Sequence, residues 1–285
     1  ARRRPELCTL PGGRREEVRW THPANLLPCL NVVVELFQLT AVSALPYLTQ
    51  LPAEGASLGR TEDVVRQLLQ RFLPLWTYGF ESSAELWLSV GLMVVYSALV
   101  GFWIAADRAD TPMLIFDVLP GTCYVTVVTH VLSPVEARAL TAVENVVVLV
   151  PWLLYTTSAT FVAVYRGDEV RRLADIVYVP LFQCCERTLK SMISVSLIFL
   201  RSRPIACGTT STVLQACLCS AIVCMRPCSV ELVAWIRFRL LLVTTWTGIC
   251  SLACLVAEVL RLDSRTGFLV WLACVGGAWL LLVLQ

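Results

Sequence analysis

The chain has 285 residues, 57% of them apolar and only 15% charged, with a formal net charge of +2. Soluble domains carry roughly 25% charged residues, so a water-soluble core could not absorb this excess. Charge this close to neutral, with no basic tract beyond Arg2-Arg3-Arg4, argues against nucleic acid as a partner.

Residues 1–25 hold six arginines and three glutamates and read as a polar, basic extramembrane arm. Residues 26–285 read as a transmembrane helical domain. Roughly 20 helical residues, rising about 1.5 Å each, cross a hydrocarbon core of ~30 Å. Spans are expected near 26–48, 84–106, 112–132, 139–165, 173–200, 205–225, 240–260 and 268–284. In between, Thr61-Glu62-Asp63 supplies a helix start, with a capping threonine and acids in the first turn. The stretch that follows, near 62–76, alternates Val64, Val65, Leu68, Leu69, Phe72 and Leu73 with Arg66, Gln67, Gln70 and Arg71. That pattern predicts an amphipathic helix lying in the membrane interface or packed against neighbouring spans.

Two regions resist simple assignment. Residues 173–200 are apolar at both ends around Cys184-Cys185-Glu186-Arg187 and Lys190. They fit one tilted span with a charged waist, the favoured reading, or an interfacial segment followed by a half-span. Residues 226–239, with Glu231, Arg237 and Arg239, read as a boundary helix preceding the span at 240–260. The fold class expected is therefore an all-α, polytopic transmembrane bundle of about eight spans, or seven if 173–200 does not cross. Backbone groups inside lipid must bond within their own segment, which only helices and closed barrels achieve.

Ionisable residues at membrane depth are the natural functional candidates, since a central charge costs about 2.5–3.5 kcal/mol on insertion scales. The set is Glu35, Asp117, His130, Glu144, Glu186, Arg187 and Lys190. They would either form an ion or proton path or pair structurally between spans, with Gln38, Asn145, His130 or Arg187 as partners for the acids. Helical spacing puts Glu186, Arg187 and Lys190 on a common face, where they would neutralise each other in a buried network or mark a waist exposed to water. His130 and Asp117, thirteen residues apart, fall on nearly opposite sides of an ideal helix.

The thirteen cysteines lie mostly in apolar runs, and no Cys-x-x-Cys occurs. They read as small buried hydrophobes rather than a disulfide framework or metal site, with Cys224 and Cys228 the pair closest to a helix end. Arginine accounts for all basic residues except Lys190, a bias read as genomic base composition. Two histidines cannot build a multi-histidine iron site, and no phosphate-loop, dinucleotide, HExxH or GxSxG motif is present. No cofactor, metal or catalytic residue is expected. The partners expected are the lipid bilayer and other membrane subunits, in a membrane that the sequence does not name: organellar, including the mitochondrial inner membrane, or plasma or ciliary. The favoured role is a non-catalytic subunit or membrane region of a larger assembly. A transporter or channel using the intramembrane carboxylates is the alternative, and a membrane-embedded enzyme the least favoured.

Overall fold

A computed structural model describes residues 7–9, 15–18, 23–50, 64–65, 67–69, 83–106, 128, 132, 141–165, 176, 178–259 and 264–284. Among them the chain is an all-α bundle with one small hairpin in the arm. Strands β1 (Leu7–Thr9) and β2 (Arg15–Glu17) pair antiparallel with Leu7 opposite Glu17. The helices are α1 (Pro23–Leu48), α2 (Ser83–Ala106), α3 (Ala142–Tyr165), α4 (Pro180–Phe199), α5 (Pro204–Met225), α6 (Glu231–Val259) and α7 (Ser264–Leu284). All except α4 contain a stretch long and apolar enough to cross a membrane.

These helices match the expected spans closely, with one difference among the described residues. Residues 231–239 are not a separate boundary helix: they are the opening turns of α6, which runs unbroken for 29 residues. At ~44 Å it exceeds the ~30 Å hydrocarbon core, so it must tilt or project. Of the expected span at 112–132, Val128 and Leu132 are described, both helical and buried; the remainder lies outside the described residues, as do Asp117 and His130. Near 62–76, residues 64–65 and 67–69 are helical. Val65 and Leu69 pack against the apolar cluster of α1, α6 and α7, while Val64 and Leu68 face outward.

α1 is the hub. Of its membrane-crossing stretch 56% is buried, against 17% for α7, and it packs on α5 and α6. α1 and α6 run parallel. Near their starts, Cys29, Val230 and Val233 gather around Val18 of the arm and Ile176. Near their ends, Tyr47, Leu255, Phe268 and Trp271 pack together. α5 returns antiparallel between them: Gly208, near its start, faces Pro46 and Leu255. α2 and α3 form a second layer joined by Met93, Tyr96, Tyr155 and Ala159, with Tyr96 and Tyr155 edge-to-face at 5.2 Å.

Lipid tails are as apolar as leucine, so helix contacts in a membrane rest on close approach and polar bonds more than on water exclusion. Both devices appear where α1, α5 and α6 meet. Gly248 of α6 lies so near α5 that a β-carbon there would stand 2.5 Å from Thr212 Oγ1. On α1, the buried Ser43 hydroxyl lies 3.0 Å from both Gln215 Oε1 and the Thr244 carbonyl. Gln215 Nε2 donates to the Leu39 carbonyl at 3.4 Å. A second hydroxyl, Ser251, accepts from Trp271 Nε1 at 2.9 Å and ties α7 to α6.

At the start of α3, Glu144 accepts at Oε2 from Thr141 N and Oγ1, each at 2.8 Å, and its own N–H donates back to Thr141 Oγ1. This reciprocal cap satisfies amides that open a helix. Thr141→Ala should therefore destabilise the protein by about 1 kcal/mol, read as a shift in the unfolding midpoint in detergent micelles.

Candidate functional site: a buried ring of four charges

The candidate site is built from three helices. α1 contributes Glu35, from a buried stripe that includes Val32, Gln38, Leu39, Val42 and Ser43. α4 contributes Glu186 and Lys190, one helical turn apart and therefore neighbours on one face. α6 contributes Arg237, on the stripe Val233, Arg237, Leu241, Thr244, Ser251 and Leu255, all buried. The 3.6-residue period of that stripe turns Arg237 inward while Arg239, two positions on, faces away from it.

The four side chains alternate in sign around a ring. Arg237 Nη2 donates to Glu35 Oε2 at 2.6 Å and lies 2.7 Å from Glu186 Oε1. Lys190 Nζ donates to Glu186 Oε1 at 2.6 Å and approaches Glu35 Oε1 at 3.3 Å. Each cation thus touches both carboxylates and each carboxylate both cations, and the formal charge sums to zero. Glu35, Lys190 and Arg237 are almost completely buried, while Glu186 keeps 14% of its side chain exposed at the rim.

One wall is aromatic. Tyr178 and Phe182 stack with centroids 6.1 Å apart, and the Arg237 guanidinium carbon lies 5.0 and 5.2 Å from their ring centres. A flat, delocalised cation suits such a wall better than an ammonium. Tyr178 is held by backbone: it bridges Cys228, and Val179 N–H donates to the Pro227 carbonyl at 2.7 Å. Burial keeps the Tyr178 phenol protonated, its pKa raised, and pushes the Cys228 thiol up to about 11. Cys224 and Cys228 are both free thiols, the first exposed.

The energetics follow from the surroundings. Taken alone, α4 brings three charges, Glu186, Arg187 and Lys190, at roughly 2.5–3.5 kcal/mol each if central, while each Leu, Ile, Phe or Val returns only about 0.3–0.6. Its eight such residues fall short of that cost. The ring offsets the deficit, because opposite charges attract more strongly where water is excluded. Three polar atoms of the ring region, Glu35 Oε1, Tyr178 Oη and Arg237 Nε, are buried with no hydrogen-bond partner among the described residues, and Arg187 Nη1 is a fourth.

Of the residues expected from sequence, the structure brings together Glu35, Glu186 and Lys190. Arg187 sits beside the ring without an ion pair among the described residues, and Glu144 is occupied in its helix cap. Asp117 and His130 lie outside the described residues. The member that sequence reasoning missed is Arg237. Among the described residues no group of three His, Cys, Asp or Glu gathers as a metal site would require.

Fold and site together define a polytopic α-helical membrane protein with a charge-neutral ring inside its bundle. No family model, curated protein or solved structure matches the chain.

Proposed function

We propose that the chain is a non-catalytic integral subunit of a larger membrane assembly, and that its intramembrane charges hold its own helices together. The observation that carries this reading is the double ion pairing of Glu35, at the middle of α1: its Oε2 accepts from Arg237 at 2.6 Å and its Oε1 lies 3.3 Å from Lys190 Nζ. A carboxylate that conducts or exchanges protons needs water or a dissociable ion at its oxygens; this one meets two fixed cations. The broad apolar faces of α2, α3 and α7, with Leu88, Phe102, Val143, Leu154 and Leu281 outward, suit lipid and neighbouring membrane chains alike. The chain resides in a membrane as an integral protein.

Two measurements test the proposal. Purified chain reconstituted alone in liposomes should pass protons, sodium and potassium no faster than empty vesicles, and Glu35→Gln should not alter the rate. Native mass spectrometry of gently solubilised membranes should find the chain in a fixed stoichiometry with other membrane chains. Glu35-dependent flux, or a solitary monomer, would overturn the reading in favour of a transporter.

A further inference from the structure

We infer that α4 is a conditional span, held across the bundle because Glu35 of α1 and Arg237 of α6 complete its charges. The inference rests on the ring together with the composition and packing of α4, and is independent of the subunit role proposed above. α4 is the one helix among the seven described that is not apolar enough to cross a membrane by its own composition. It nevertheless runs beside α5 through a shared apolar cluster containing Phe182, Ile193 and Leu197 with Cys207, Leu218 and Ile222. The short turn at 200–203, closed by Arg203 N–H on the Leu200 carbonyl at 2.8 Å, makes the two helices antiparallel partners. At 20 residues it nearly equals α5, which has 22. Placement and composition therefore disagree, and the ring is what reconciles them.

Chain order sharpens the point. Glu35 lies far upstream of α4, and Arg237 lies downstream of it. Before Arg237 is present, Lys190 alone faces two carboxylates, so the charge balance around α4 closes only when α6 joins. The count of crossings in this protein is thus a property of the assembled bundle and not of α4 itself.

The test uses the full chain in sealed vesicles, with one epitope tag inserted after Gly167 and another after Ser202, on either side of α4. Protease accessibility from outside the vesicle reports which face each tag occupies, whether or not a variant reaches its final fold. In the native sequence the two tags should occupy opposite faces. Arg237→Leu and Glu35→Leu should each raise the fraction of chains with both tags on one face at least several-fold. The quadruple variant Glu35→Leu/Glu186→Leu/Lys190→Leu/Arg237→Leu, whose α4 is apolar enough to cross unaided, should restore opposite faces. Native tag distribution in both single variants would overturn the inference, as would same-face tags in the quadruple variant.

Discussion

Arg237→Leu should destabilise the bundle by about 3–5 kcal/mol, the usual consequence of removing one partner from a buried ion pair. The substitution leaves Glu35 and Glu186 sharing Lys190, so one carboxylate must stay charged without a cation or take up a proton. It also strips the cation from the Tyr178–Phe182 wall, 5.0 and 5.2 Å away. Arg237→Lys should recover only part of the loss. An ammonium keeps the charge but forfeits the planar contact with the rings, and its shorter stem must still reach carboxylates that Nη2 meets at 2.6 and 2.7 Å. Unfolding by a denaturing detergent titrated into lipid-detergent micelles would rank the three proteins. A loss below about 1 kcal/mol, the scale of an exposed pair, would mean that the ring is solvated.

The second large effect is expected at Gly248. A β-carbon there meets Thr212 Oγ1 at 2.5 Å and its Cβ and Cγ2 at 3.4 Å. The hydroxyl cannot swing away freely, since it donates to the Gly208 carbonyl at 2.7 Å. Gly248→Ala should therefore cost about 1–3 kcal/mol by overpacking, and Gly248→Leu more, by levering α6 from α5. Because the clash is with one side chain, Thr212→Ala should rescue most of the loss in the Gly248→Ala background. Residues in contact show such non-additivity. Equal effects of Gly248→Ala with and without Thr212 would show that the helices do not approach there.

Much of this architecture is legible in the residues. Uncharged runs such as Leu86–Ala106 announce membrane helices because the backbone has no other way to be satisfied in lipid. Glu35 stands out as the acid inside such a run. Arg237 does not, because with Arg239 it marks a break in apolarity that resembles a membrane edge. The phase of the helix, Val233 to Arg237 to Leu241, carries the signal that composition hides. Glu144 reads by composition as an ionisable residue at membrane depth; Thr141 three positions before it and an apolar run after it are a capping-box signal that this reading passes over. For α4, composition and environment pull in opposite directions. No reading of 173–200 by itself could settle its course, since the groups that neutralise it come from segments near positions 35 and 237.

Glu35 and Arg237 act as one unit inside the bundle, and the effects expected at the ring and on the course of α4 depend on their pairing. A double-mutant cycle of Glu35→Gln, Arg237→Gln and both together, measured in lipid nanodiscs, isolates that pair. Coupling of about 2 kcal/mol or more is predicted, within the range found for close, desolvated charge pairs. Additive losses, with coupling near zero, would contradict it.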